Sequence, residues 1–334
     1  MSAVPATRVT IADIAALAGV SVPTVSKVLN GKPGVSPATR ARISDLLQEH
    51  EYEPRRSNTT GSVALVFGEL ESPWAVALIS ALEEAAFEES LGILLTRVRP
   101  GTNDHWLDAI ASKHVDGVIC AVVDMTLSQR TRLKELDLPF VVIDPQAMQS
   151  TDVVTVGIAH WRGGREATDY LLSLGHQRIA LIGGPPEMLF SQARADGFRA
   201  GMAAAGFSVG PEYIIHAEYG YESGRDAGAQ LLALDVPPTA IFAASDEQAF
   251  GVYEAARLKG IKIPDDLSVI GFNDVPIARW ASPPLTTVRE PIADMAREAV
   301  RLLRNQVNGL PGTAAVELAT ELVVRESTLP PKPE

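Results

Sequence analysis

The chain is short of cysteine, of aromatics and of long apolar runs, and each shortage closes off a class of function. One cysteine among 334 residues, Cys120, excludes an internal disulfide and fits a reducing compartment. It sits inside the apolar run GVICAVV, where strand packing is a better role than nucleophile. No apolar stretch reaches the roughly 18 residues that mark a membrane span, and no apolar run precedes Thr10. Neither a span nor a secretory signal is therefore expected, and the sequence predicts a soluble cytoplasmic protein. The six histidines are scattered without metal-ligand spacing. No glycine-rich phosphate loop follows the first predicted strand, and neither a G-x-S-x-G elbow nor a cysteine–histidine pairing is present. An enzyme is not indicated, and no metal or cofactor is expected.

What is present is a globular composition, 46% hydrophobic and 21% charged, in a chain long enough for two or three domains. The net charge of -12 is unevenly spread. Residues 1–58 carry seven Lys/Arg against five Asp/Glu, a net of +2, and the remainder carries -14. A weakly basic N-terminus on an acidic body binds nucleic acid poorly as one copy, so a DNA-binding role requires a dimer.

The N-terminus has that role written into it. TIADIAALAGVSVPTVSKVLN, Thr10 to Asn30, reads as two short helices about a tight turn. Thr10 and Asp13 form a capping box; Ile11, Ile14, Ala15 and Ala18 give one buried face. Gly19 permits the turn. Ser21 caps the second helix, whose first turn tolerates Pro23. Val25, Val28 and Leu29 are expected to face inward and Val22, Pro23, Ser26 and Lys27 outward, a small, partly cationic face suited to a major groove. A third helix follows, capped by Ser36 with Pro37 at its first position and Ile43, Leu46 and Leu47 inward.

The elements Ala18–Ser21, Thr24–Asn30 and Tyr52-Glu53-Pro54 closely resemble the AGVS-x-x-TVS-x-VLN and Tyr-x-Pro pattern of the lactose-repressor (LacI/GalR) family of bacterial transcription regulators. The resemblance covers essentially the whole chain. It implies a helix-turn-helix headpiece, all-α, followed by an α/β core like a periplasmic binding protein, with two lobes of parallel sheet. It also implies a homodimer on a pseudopalindromic operator, with a small sugar effector between the lobes. The segments SPW, GGPPEMLFSQAR and ELVVREST resemble an actinobacterial branch linked to xylose or xylo-oligosaccharides. DNA contacts are expected from Ser21, Val22, Pro23, Thr24, Ser26, Lys27 and Asn30 in the groove, and from Arg8, Thr10, Arg40, Arg55 and Arg56 at phosphates or the minor groove.

After Pro54 the pattern alternates apolar strands with amphipathic helices. Strands are predicted at 63–67, 93–98, 117–123, 140–144, 178–183, 239–244 and 267–271. Helices are predicted at 74–90, 163–174, 191–205, 247–259 and 291–307. Apolar strands between helices imply parallel sheets covered on both faces, with ligand groups at the carboxyl ends of strands. The expected organisation is a headpiece at 1–54, a connector at 55–60, a core at 61–328 and a tail at 329–334. By the resemblance, the first lobe takes roughly 61–157 and 289–314 and the second takes 158–288 and 315–328. Effector candidates at strand ends are Trp74, Asp144, Ser191, Arg194, Tyr219, Asp246 and Asn273. For Asp246 and Asp274, capping the next helix is an equally good role. Trp161 and Trp280 are expected in the core, and His176 is expected to be structural.

Two features depart from the family. The connector is about half a dozen residues shorter than the family's hinge helix and has no leucine to wedge into the minor groove. Lys27 stands where arginine is commoner, and lysine lacks the planar fork that reads guanine. The reading is a sugar-responsive transcription repressor; the alternative is a sugar-binding receptor without regulatory DNA binding.

Overall fold

A computed structural model describes residues 10–29, 34–50, 60–99, 104–123, 125–150, 152–310 and 315–333. The headpiece packs α1 (Ile11–Ala18), α2 (Val22–Leu29) and α3 (Pro37–Glu49) around Ile11, Ile14, Ala15, Ala18, Val25 and Ile43. Thr10 and Asp13 form the reciprocal capping box, and Gly19 closes α1 in the left-handed region at φ 61°. This turn sets α1 and α2 at 101°, the geometry of a helix-turn-helix. Ser36 caps α3 through the Thr39 amide at 3.2 Å.

The core has two sheets. The first runs β11-β5-β4-β3-β1-β2, from β1 (Ser62–Phe67), β2 (Gly92–Arg97), β3 (Gly117–Ala121), β4 (Phe140–Ile143), β5 (Val154–Ile158) and β11 (Ala315–Leu318). All its pairings are parallel. The second runs β12-β10-β9-β8-β6-β7, from β6 (Ile179–Gly183), β7 (Ile214–His216), β8 (Ala240–Ala243), β9 (Ser268–Asn273), β10 (Thr286–Arg289) and β12 (Glu321–Val323). Only its β10–β12 pair is antiparallel. The first sheet is served by α4 (Pro73–Glu88), α5 (His105–Ala111), α6 (Leu127–Glu135) and α11 (Ile292–Val307). The second is served by α7 (His160–Ser173), α8 (Leu189–Ala204), α9 (Tyr221–Leu231) and α10 (Asp246–Leu258). Strands such as β3, GVICA, are buried along their whole length because helices cover both faces. Burial pushes the Cys120 thiol up to about 12, so it is core packing and not a nucleophile.

The chain passes between lobes three times, at 158–160, 289–292 and 318–321, and the first and third passes are tied by Ala159 N donating to Leu318 O at 2.9 Å. This corrects the expected division, because Ala315–Leu318 pairs with β5 in the first sheet and only the return strand β12 belongs to the second. Two further expectations change. Trp161 and Trp280 are 47% and 77% exposed rather than in the core. The tail residue Leu329 is pinned to the second lobe: its amide bonds Ser268 Oγ, and its carbonyl oxygen lies 2.9 Å from His176 Nε2. His176 is structural as expected, with Nδ1 2.9 Å from Thr239 Oγ1.

Glycines bring α7 and α8 into backbone contact. A Cβ on Gly197 would lie 2.1 Å from Trp161 O, and one on Gly164 would lie 2.3 Å from Arg194 O. These approaches fix where Arg194 emerges from α8. Asp246, expected to face a ligand, is instead buried beneath the second lobe's strand ends. Thr287 Oγ1 donates to its Oδ1 at 2.5 Å and Val275 N donates to its Oδ2 at 2.8 Å. A Cβ at Gly271 would meet Oδ1 at 2.3 Å, so glycine is required there. Burial, reinforced by the Asp274 and Glu290 carboxylates, raises Asp246 to about 8 against the donated hydrogen bonds.

Gly197→Ala should cost about 1–3 kcal/mol through overpacking and lower the melting temperature, as circular dichroism would record; an unchanged midpoint would refute the close approach. Asp246 gives a signed pH dependence. The folded state keeps its proton up to about 8, whereas the unfolded chain releases it near the ordinary carboxyl value of 3.8. Its contribution is therefore full below the unfolded value, falls as pH rises towards 8 and is flat above that. Asp246→Asn, which resembles the protonated acid, should remove this slope from stability measured by urea unfolding between those limits.

Candidate functional site: the interlobe cleft and the headpiece helix

The carboxyl ends of both sheets face one cleft of about 670 Å³. Trp74, at the start of α4, Asp144, after β4, Arg194, on α8, Tyr219 and Asn273, at the end of β9, all line it. Asp144 and Asn273 follow or close corresponding strands of the two sheets, and both hold positive φ, 43° and 113°. Val122 also lines the cleft, at φ 50°, which is a strained state for a β-branched residue.

A buried polar network organises these groups. Glu290, in the crossing after β10, has a fully buried side chain. Trp74 Nε1 donates to its Oε2 at 2.6 Å; Asn273 Nδ2 and Arg194 Nη2 donate to its Oε1 at 2.7 and 2.9 Å. Burial pushes the Glu290 carboxyl up, opposed by the Arg194 guanidinium. Its three partners are all donors, and together with the Arg194 charge they favour the carboxylate form against that burial. Arg194 Nη1 donates to Ala244 O at 2.6 Å, and Nε donates to His160 Nδ1 at 3.3 Å. Since arginine can only donate, Nδ1 accepts and the His160 proton lies on Nε2, which donates to Asp144 Oδ1 at 3.2 Å. The guanidinium carbon lies 3.7 Å from the centre of the Phe272 ring, a close cation–π contact.

Ser191 does not line the cleft. It is buried behind it, 2.6 Å from the Tyr219 hydroxyl, which burial raises in pKa. Asp246 lies behind it too. Glu290, His160 and Phe190 are the residues that sequence reasoning missed. Glu290 and His160 follow strands too short and polar to be recognised, and Phe190 sits within GGPPEMLFSQAR beside residues that were singled out. Phe190 pairs with Tyr219 at 5.8 Å between centroids and lines the cleft with it. Counting Asp144 and Glu290, the described residues of the lining supply seven carboxylates against the single guanidinium of Arg194. Glu247 is raised to about 7 by burial, and further by Glu69 and Glu222. Carboxylates of both lobes thus face each other across the mouth.

On the headpiece, Ser21, Pro23 and Lys27 are exposed on and just before α2, whereas Thr24 and Ser26 are half-buried. Val22 is half-buried against the headpiece core, which corrects its outward assignment. Thr10 is exposed but bonded to Asp13, and Arg40 is half-buried. Arg8, Asn30, Arg55 and Arg56, with most of the connector, lie outside the described residues. Among the described residues no group of acids, histidines and cysteines could hold a metal, and no single helix is long and apolar enough to cross a membrane.

Comparison with known proteins agrees with both halves of this arrangement. Residues 10–55 match the bacterial regulatory proteins of the lacI family, and residues 168–328 match the periplasmic binding protein-like domain. The chain is 35% identical to the HTH-type transcriptional regulator DegA of Bacillus subtilis (strain 168), covering 97% of this chain and 99% of DegA. It is 34% identical to the HTH-type transcriptional regulator CelR of Thermobifida fusca, covering 96% and 98% respectively. A solved CelR–cellobiose complex superposes with a TM-score of 0.74 at 34% identity, covering 96% of this chain and 100% of that one. The chain belongs to the lacI family of bacterial regulatory proteins and is a DNA-binding transcription regulator, not an enzyme.

Proposed function

We propose that this regulator is a cytoplasmic homodimeric repressor of carbohydrate-utilisation genes, released from a pseudopalindromic operator by a neutral sugar bound between its lobes. The headpiece is taken as 1–54, the connector as 55–60 and the core as 61–328. The observation that carries the reading is the cleft itself: aromatic side chains from both lobes surround a hydrogen-bonding network centred on Arg194. Indole and phenol faces suit the apolar face of a sugar ring, and fixed polar groups suit its hydroxyls. The CelR–cellobiose complex supports the class of ligand. The excess of carboxylates disfavours phosphorylated ligands. Within the class, SPW and GGPPEMLFSQAR favour xylose or xylo-oligosaccharides; both segments supply cleft residues, Ser72 and Trp74 from the first, Met188, Phe190 and Arg194 from the second.

At the DNA, Ser21, Pro23 and Lys27 reach the major groove, with Val22, Thr24, Ser26 and Asn30 supporting them. Thr10, Arg8, Arg40, Arg55 and Arg56 meet phosphates or the minor groove. Two-fold symmetry of the dimer dictates the symmetry of the operator. A coupling of about 1–3 kcal/mol between sugar and DNA would change operator affinity roughly 5- to 150-fold.

Fluorescence anisotropy on DNA from upstream of the protein's own gene, at two salt concentrations and with a panel of neutral sugars, tests the reading. Tight, salt-sensitive binding that a xylose-containing sugar weakens is expected; binding that no sugar alters would sink the proposed effector class. Arg194→Ala should abolish the sugar response yet retain operator binding. It leaves Glu290 buried without its charge partner, so core stability should fall by about 3–5 kcal/mol. Retained sugar release in that variant would remove Arg194 from the effector site.

A further inference from the structure

Three N–H donors converge on one small volume at the back of the cleft: the Trp74 indole, the Asn273 amide and the Arg194 guanidinium. One belongs to the first lobe and two to the second. A cation and two neutral donors aimed at one point form an anion-binding constellation. In a free cleft it would capture a ligand carboxylate or phosphate. Here its occupant is part of the chain. Glu290 has a fully buried side chain, and its two oxygens take all three donors at 2.6, 2.7 and 2.9 Å.

We propose that Glu290 sets the charge class of the effector: it is a resident carboxylate that fills the anion position built by Trp74, Arg194 and Asn273, so the cleft accepts neutral sugars and excludes acidic ones. This rests on the reading of the cleft as the effector site. Glu290 neutralises the only guanidinium among the described lining residues and leaves its remaining N–H groups for hydroxyl oxygens. Ala244 O, His160 Nδ1 and Glu290 take three of the five N–H groups, which leaves two. A hydroxyl accepts from such a group without bringing a second negative charge beside the buried carboxylate. A uronic acid or sugar phosphate brings that charge, and it also meets Glu69, Glu71, Glu218, Glu222 and Glu247 on entry. The exclusion is thus double, diffuse at the mouth and specific at Glu290.

The test uses the full-length chain and small probes. Glu290→Ala vacates the position, so acetate should raise that variant's melting midpoint by several degrees, acetamide should not, and wild type should respond to neither at matched ionic strength. If the variant folds only with help, refolding yield in acetate against acetamide reads the same property. Glu290→Gln keeps the volume and removes the charge. By calorimetry it should bind glucuronate at least about tenfold more tightly than glucose, the scale of one charge-assisted hydrogen bond. Trp74→Phe removes one donor but no charge and should stay indifferent to acetate like wild type. Equal effects of acetate and acetamide on Glu290→Ala, or glucuronate binding by wild type, would overturn the proposal. A wild-type protein that no neutral sugar releases from DNA would instead overturn the effector reading, with the acetate result standing apart from it.

Discussion

A carboxylate with no exposed surface must be partnered or it will not stay charged, and the core is arranged around that requirement. Glu290 is emitted by the second chain crossing, directly after β10, and draws one donor from the first lobe and two from the second. Removing a partner from such a buried pair costs far more than an exposed salt bridge, about 3–5 kcal/mol against 0–1. Surface pairs such as Arg162–Glu166 and Arg199–Asp196 therefore matter little to the architecture. The Glu290 network fixes the Trp74 indole, the Asn273 amide and the plane of the Arg194 guanidinium together. It is in turn fixed from behind, because the glycine seam between α7 and α8 leaves Arg194 little freedom to shift.

The headpiece obeys a different balance. It has a small core, and α2 projects a few polar groups with modest net charge. One copy gains little counterion-release free energy, and the acidic core adds repulsion rather than attraction for phosphate. In the proposed homodimer, specific binding would therefore depend on two headpieces acting at a fixed separation. A regulator built this way is controllable, because altering the separation of the two headpieces forfeits much of the affinity. A strongly basic headpiece would hold DNA whatever the core did.

The parts legible in the sequence are those set by local rules. The helix-turn-helix follows from a capping box, a left-handed glycine and helical spacing, all within a stretch of residues that contact each other. Fully apolar strands such as β3 and β6 were readable for the same reason. The strands β5, β7, β10, β11 and β12 were not, being three to five residues long; in β10 the polar residues are satisfied by distant parts of the chain. Thr286 accepts from the Arg325 amide and its own amide donates to Ser327 Oγ; Thr287 donates to Asp246. Missing those strands hid Glu290 and His160, whose significance lies in following them. Trp74, Asp144, Arg194 and Asn273 were legible as polar or aromatic residues at recognised strand ends or helix starts. Asp246 satisfied the same rule yet turned inward, since a strand-end carboxylate can serve the fold as readily as a ligand. Trp161 and Trp280 show the opposite error: size and apolarity predict burial on average, and nothing local marks the exceptions.

The position of the network also bears on how a ligand could move the lobes. Glu290 follows β10 of the second sheet, as Arg194 and Asn273 belong to the second lobe, so these three move together. The bonds that join them to the first lobe are Trp74 to Glu290 and, through His160, Asp144 to Arg194. Any rotation about the crossings must lengthen or rebuild those two links while leaving the Arg194–Glu290 pair intact. A ligand shifts the lobes only by the difference in its affinity for the two arrangements. Groups that stay together contribute affinity without contributing to that difference. Within the network, Trp74 and Asp144 are the groups whose position relative to Arg194 changes, and through them a ligand held between the lobes, such as the proposed sugar, would be felt at the headpiece.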